Sequence, residues 1–136
     1  MKKKIAILGS TGSIGENTLR IIRKDKKKFL INFLTTNKNI NKIFKQAKEF
    51  KVKNIIISDS SCYKKAKIKF KKTKINIYNN FDHLNKILIK KNDLVMSSIT
   101  GLNGLLPTLN SIKYTKNILI ANKESIICGW NLISKE

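Results

Sequence analysis

A doubly wound α/β domain, with a mostly parallel sheet and helices on both faces, is what three features of this 136-residue sequence predict. Short runs rich in Ile and Val recur along the chain. The stretches between them carry apolar residues at helical spacing. The first apolar run leads straight into "GSTGSIG", which places Gly9, Gly12 and Gly15 three residues apart. Glycine weakens a helix or strand interior by roughly 0.5 to 1 kcal/mol relative to Ala, so such a cluster marks backbone geometry that other residues cannot reach.

Ile5 to Leu8 predicts the first strand and Ser13 to Lys24 the first helix, with Ile14, Thr18, Leu19 and Ile22 on one face. Ile31 to Leu34 predicts a second strand, followed by the loop Thr35 to Asn39. Asn39 then caps a helix whose stripe is Ile40, Ile43, Phe44, Ala47 and Phe50. A third strand follows at Asn54 to Ser58, then a lysine-rich helix capped by Ser60 or Ser61 and running to about Lys72. Ile75 to Tyr78 predicts a short fourth strand, Asp82 to Lys90 a helix, and Asp93 to Ser98 a buried strand. The segment "ITGLNGLLPTLNSI" is a Gly-containing loop entering a helix, and Asn117 to Ala121 is a last strand ending at the polar turn "ANKES". His83 is expected at the surface of its helix and Trp130 against the terminal segment. No Pro/Gly/Ser linker divides the chain, so one domain, residues 1–136, is expected.

Composition bounds the function. The 41% hydrophobic and 27% charged fractions are those of a folded globular chain. The net charge of +21 invites a basic nucleic-acid-binding module, since cations that neutralise phosphates drive such binding. Arg, the better bidentate partner for phosphate, occurs only at Arg20 and Arg23 among 29 basic residues. The lysines are spread along every segment beside many Ile and Asn, all with A/T-rich codons. A nucleotide-composition bias explains them more simply. Cys62 and Cys128 form no ligand pattern and are expected as reduced thiols. Neither a signal-peptide core nor an 18-residue apolar run is present, so a cytoplasmic protein that does not engage the membrane is expected.

Ligands of parallel sheets sit outside the carboxyl ends of the strands. That rule selects four loops: Gly9 to Gly15, Thr35 to Asn39, Ser97 to Gly104 and Asn122 to Ser125. A glycine turn between strand and helix lets backbone approach a pyrophosphate, and the helix N-terminus offers it free amides. Ser10, Thr11 and Ser13 would add hydroxyl donors. The spacing GxxGxxG departs from the GxGxxG fingerprint, and a packing-only turn is the competing explanation. NAD sites commonly carry an acid at the end of the second strand. Here stand Thr35, Thr36, Asn37, Lys38 and Asn39, a set of donors suited to the 2′-phosphate of NADP.

Taken in order, "GSTGSIG", Lys38-Asn39, "GLLPTL" at Gly104 to Leu109 and "ANKES" at Ala121 to Ser125 resemble the 1-deoxy-D-xylulose 5-phosphate reductoisomerase family, specifically its N-terminal part. That family makes 2-C-methyl-D-erythritol 4-phosphate in the non-mevalonate isoprenoid pathway, using NADPH and Mg²⁺ or Mn²⁺. The resemblance implies a Rossmann-like domain in which Thr11, Gly12, Ser13 and Ile14 contact the pyrophosphate. It implies that Asn37, Lys38 and Asn39 contact the 2′-phosphate and adenosine, that Asn122 and Glu124 contact NADPH, and that Lys123 reaches the substrate. It allows a homodimer in complete members. The family commonly has Gly where this chain has Asn37, and Asn tolerates the left-handed backbone such a turn could need.

The family's metal carboxylates, substrate loop and C-terminal helical domain have no counterpart before Glu136, and no acid pair here is placed like a cation site. No catalytic residue or metal ligand is therefore assigned. An excerpt or truncated gene product that binds NADPH without turnover is expected. The alternatives are another NADP-dependent oxidoreductase domain, of semialdehyde or dihydrodipicolinate type, and a nonenzymatic dinucleotide sensor.

Overall fold

The computed structural model describes residues 1–88 and 90–136. Its strands are β1 (Lys3–Leu8), β2 (Phe29–Thr36), β3 (Asn54–Ile57), β4 (Asn76–Tyr78), β5 (Leu94–Ser97) and β6 (Ile118–Ile120). Between and after them lie α1 (Ser13–Lys24), α2 (Ile40–Glu49), α3 (Ser60–Lys69), α4 (Leu84–Ile87), α5 (Leu105–Ile112) and α6 (Lys123–Ile133), with a 3₁₀ turn at Leu102–Gly104. The strands line up in the order β4-β3-β2-β1-β5-β6. Every pairing among them is parallel. The chain thus winds outward from β1 to β4 and then returns to the other side of β1. The crevice at that reversal is where a doubly wound sheet receives its ligand.

Alternation along the strands supplies both layers. Ile5 and Ile7 of β1 and Ile55 and Ile57 of β3 pack with Leu19 and Ile22 of α1, Ile43, Phe44 and Ala47 of α2, and Ala66 of α3. Ala6, Leu8 and Ile56 turn to the opposite face, with Leu84, Leu88 and Val95. Because both faces are covered, the strands are apolar nearly throughout, as buried parallel strands are. β2 needs an adjustment to serve both layers. Ile5 pairs with Ile31 but Ala6 pairs with Phe33, so Asn32 is skipped. This bulge allows Ile31 and Leu34 to join one core and Phe33 the other. The amide of Asn32 is not wasted, since its Nδ2 donates to Asn92 Oδ1 at 2.7 Å.

The structure corrects several sequence expectations. α3 is capped by Asp59, which accepts from the Cys62 amide at 2.8 Å, rather than by Ser60 or Ser61, and it ends at Lys69. α4 is a single turn, Leu84–Ile87, and the predicted Asp82 to Lys90 helix crosses residue 89, which lies outside the described residues. His83, as expected, is exposed, at the N-cap of that turn. Ile14, assigned to the buried face of α1, is 38% exposed, while Gly15 takes the inward position.

α6 is the largest omission, and its pattern explains why. Its inward residues are Ser125, Gly129 and Ile133, whereas Ile126, Ile127 and Leu132 face outward and Trp130 is 57% exposed. Apolar periodicity therefore points the wrong way. The helix is positioned by close approach instead: a Cβ at Gly129 would collide with Leu105 Cδ1 of α5. Trp130, expected against the terminal segment, lies within α6 and is more than half exposed.

Arg23 on α1 grips Glu49 on α2 through two bonds, that from Nη2 measuring 2.7 Å, and Lys26 adds a third at 3.1 Å. The Arg23 bonds, with lesser help from Lys26, hold the Glu49 carboxyl down at about 2 against an ordinary 4.5. A depressed folded-state pKa gives stability that is complete above the unfolded value and is lost as pH falls through the folded one. The two side chains are 47% and 32% exposed, so solvent screening keeps the pair below about 1 kcal/mol. Glu49→Gln should therefore cost less than about 1 kcal/mol in urea unfolding at neutral pH. That difference should close as pH is lowered from 4.5 toward 2.

Candidate functional site

The turn after β1 is held from three sides. Gly9 has φ of 78°, and a Cβ there would meet Ser98 O at 3.0 Å. Its amide donates to Thr35 Oγ1 at 2.8 Å, and the Ser10 amide donates to Thr35 O at 2.9 Å. Ser98 Oγ donates to Leu8 O at 2.6 Å from the β5 side. Ser10 is fully buried. Its Oγ donates to Gln46 Oε1 at 2.8 Å, and Gln46 Nε2 returns a bond to Ser10 O at 3.0 Å. Thr11 Oγ1 and Thr36 Oγ1 are 2.7 Å apart.

These bonds revise the donor list. The Ser10 hydroxyl is committed to the interior, and the Thr11 hydroxyl shares a bond with Thr36 in which either can donate. Thr35 and Thr36 belong to β2 and are buried, so they hold the turn and are not ligand donors of a loop. What the turn leaves outward is Gly12, Ser13 and Ile14, all exposed at the start of α1. Gly12 is the N-cap, and no side chain caps this helix, whereas Asn39, Asp59 and Asn122 cap α2, α3 and α6. The first-turn amides of α1 thus keep their capacity for an anion.

The glycines divide by role. At Gly15 a Cβ would overlap Gly9 O and stand 2.6 Å from Ser10 Cα, so α1 can seat against the turn only without one. At Gly12 the nearest atom would be Gly9 O at 3.6 Å. Space beside Gly12 is open.

On the β2 side, Asn37, Lys38 and Asn39 are all exposed. Among the described non-glycine residues only Lys51 has positive φ, so Asn37 needs no left-handed backbone to replace glycine. Asn37 O accepts from the Asp59 amide at 3.2 Å, and Asn37 Oδ1 accepts from Ser58 Oγ at 3.3 Å. The Asp59 carboxyl is held below its ordinary range, first by the Cys62 amide and further by the charge of Lys38. Sequence reasoning placed no acid beside Lys38. Its signal was the Asp-Ser-Ser start of α3, which is a capping pattern.

On the other side, a cavity of about 240 Å³ is lined by Ile14, Ser98, Ile99, Thr100, Ala121, Asn122, Lys123 and Glu124. The first, third and fourth loops therefore meet, and Asn37 to Asn39 stand apart from this cavity. Lys123 is exposed and Glu124 half-buried. Asn122 is buried, and its amide is fully used. Nδ2 donates to Ile99 O and Gly101 O, each at 2.6 Å, while Oδ1 accepts from the Glu124 and Ser125 amides. Its side chain thus ties the third loop to α6. Larger hollows of about 470 and 450 Å³ lie around Met1, Lys2, Lys3 and Phe29. These lie at the amino ends of the strands, opposite the helix amides, and lack the features of a ligand site on a parallel sheet.

The free-space difference between the two glycines has a measurable consequence. Gly15→Ala should destabilise the chain by about 1 to 3 kcal/mol, the range for overpacking, whereas Gly12→Ala should cost less than about 1 kcal/mol. Urea denaturation followed by circular dichroism makes the comparison; equal costs would contradict the packing described.

Comparison with known proteins agrees with this geometry. A family model for 1-deoxy-D-xylulose 5-phosphate reductoisomerase matches residues 5–129. The chain is 54% identical over 136 residues to the Pelagibacter ubique protein of that name, covering 98% of this chain and 35% of that one. It is 40% identical over 131 residues to the Buchnera aphidicola protein, covering 93% and 33%. The solved structure of the Zymomonas mobilis reductoisomerase in complex with NADPH superposes with a TM-score of 0.88 at 30% identity, over 99% of this chain and 36% of that one. A reductoisomerase structure in complex with NADPH, fosmidomycin and magnesium gives 0.86 at 34% identity, covering 98% and 33%. The chain spans about a third of the length of the relatives it matches, and across that span it belongs to the 1-deoxy-D-xylulose 5-phosphate reductoisomerase family.

Proposed function

We propose that residues 1–136 form an NADPH-binding domain of a 1-deoxy-D-xylulose 5-phosphate reductoisomerase. The observation that carries this reading is the start of α1, uncapped and with open space beside Gly12. Amides near Thr11, Gly12, Ser13 and Ile14 receive the pyrophosphate. Lys38, with Asn37 and Asn39, receives the 2′-phosphate. Residues of the cavity between Ile14 and Glu124 would hold the nicotinamide half. Asn122 serves that half through the loop it holds, since its side-chain amide has no donor or acceptor to spare. Lys123, exposed at the head of α6, reaches toward the substrate. The bound dinucleotide supplies hydride to a substrate carbonyl; these residues bind it and set its direction.

The cation fits differently. Among the described residues no group of three or more His, Cys, Asp or Glu could hold a metal ion. The Mg²⁺ or Mn²⁺ of the complete enzyme is therefore assigned to the share of the relatives' length that this chain does not span, together with the substrate domain and the C-terminal helical domain. The complete enzyme would convert 1-deoxy-D-xylulose 5-phosphate to 2-C-methyl-D-erythritol 4-phosphate in the cytoplasm, as a homodimer and without a specific nucleic-acid partner. Among the described residues, no helix is long and apolar enough to cross a membrane. Membership in this family sets aside the semialdehyde and dihydrodipicolinate types.

Calorimetric titration of the 136-residue chain tests the cofactor reading. NADPH should bind more tightly than NADH by about 1.5 to 3 kcal/mol, the range for hydrogen bonds to a charged group. Lys38→Glu should remove or reverse that preference. Gly12→Val should abolish binding while leaving the far-ultraviolet spectrum intact, because the branched side chain fills the space beside the α1 amides. Equal affinities for the two cofactors in the unaltered chain would refute the role given to Lys38.

A further inference from the structure

Gln46 lies two turns into α2, on the same side as Ile43 and Ala47, and is only 6% exposed. A long amide in an apolar stripe has to find partners, and it finds them on the Ser10 carbonyl and hydroxyl of the β1–α1 turn. Its Nε2 also lies 3.5 Å from Glu16 Oε1 in the first turn of α1, and Glu16 Oε2 meets Lys42 Nζ, one turn earlier on α2, at 3.0 Å. The other end of α2 begins at Ile40, directly after Asn37, Lys38 and Asn39. One rigid helix therefore carries the 2′-phosphate loop at its N-terminus and clasps the pyrophosphate turn from its interior.

From this arrangement we infer that Gln46 is a positioning residue that fixes the separation between the two phosphate sites, an inference that rests on the NADPH reading above. Without its amide, buried Ser10 O loses its Gln46 bond while Ser10 Oγ keeps only a 3.3 Å bond to Thr35 O, and an unsatisfied buried carbonyl is costly enough to move the turn toward water. The Thr35 bonds hold the turn to β2 but do not reach Ser10 O. A ligand that spans both sites senses that displacement. One that touches only the Lys38 loop does not.

The test titrates the 136-residue chain and its Gln46→Leu variant with NADPH, which spans both sites, and with adenosine 2′-phosphate, which occupies one. Gln46→Leu should weaken NADPH by about tenfold or more, while adenosine 2′-phosphate stays within about twofold. Unchanged NADPH affinity would overturn the inference, and so would an equal loss for both ligands, since that would mean general loosening of α2. If Gln46→Leu does not fold, Ser10→Ala, which removes one bond of the pair together with the longer bond to Thr35 O, should give the same contrast in smaller measure, and its absence there would overturn the inference as well. Should the unaltered chain bind neither ligand, the NADPH reading fails and this inference falls with it. Binding by the unaltered chain with no contrast in the variants defeats this inference alone.

Discussion

Contact between the start of α1 and the turn that feeds it is the constraint on which the rest of this domain depends. Gly15 lies so close to Gly9 and Ser10 that no Cβ fits between them. That closeness aims the helix axis at the crevice beside β1, and the crevice exists because the strand order reverses there. Parallel strands whose next partner lies on the far side of β1 leave a gap between crossover helices. A bulkier residue at Gly15 would push the helix away from the turn and redirect its amides. Sheet topology thus creates the space, and one missing side chain points a partial positive charge into it.

A second layer of control lies in which polar groups the chain satisfies for itself. Ser10, Thr35, Thr36, Gln46, Ser98 and Asn122 are buried and bonded to neighbouring turns or strands. Each ties one loop to the next, so the four loops at the carboxyl ends of the strands behave as a connected scaffold. Outward from it stand groups the chain leaves free, namely the first amides of α1 and the exposed Lys38 and Lys123. Buried polar groups must be bonded or they destabilise the fold. The scaffold set is therefore recognisable by its saturation, and the set proposed to face the ligand by its lack of it.

Much of this was legible in the sequence, and the exceptions share a cause. The strands lie on short apolar runs, and the glycine turn and the Asn39 cap follow from local pattern alone, whereas Thr35 and Thr36, expected in a loop, complete β2. What local pattern could not supply is anything set by contact between distant segments. The Asn32 bulge depends on β1 pairing, and Gln46 appears as an unexplained polar residue in an apolar stripe until Ser10, 36 residues away, is placed against it. α6 is the clearest case, because its inward face is Ser125, Gly129 and Ile133 while larger apolar residues face out. Periodicity assumes that apolar means inward; here a close approach to α5 decides the orientation.

The charge around Lys38 shows why a basic chain still needs specific placement. With a net charge of +21, a diffuse positive field alone would favour any phosphate and would be screened within roughly 10 Å at ordinary ionic strength. Discrimination between two dinucleotides that differ by one phosphate must come from groups fixed at the right spot. Asp59, held ionised by the Cys62 amide at the head of α3, sits close enough for Lys38 to lower its pKa. Its own amide bonds to Asn37. A negative charge beside this loop opposes any anion, so on the NADPH reading the 2′-phosphate depends on directed bonds from Lys38 and its neighbours. The lysine excess therefore sets the background, and on the NADPH reading the directed bonds of the Lys38 loop set the selectivity.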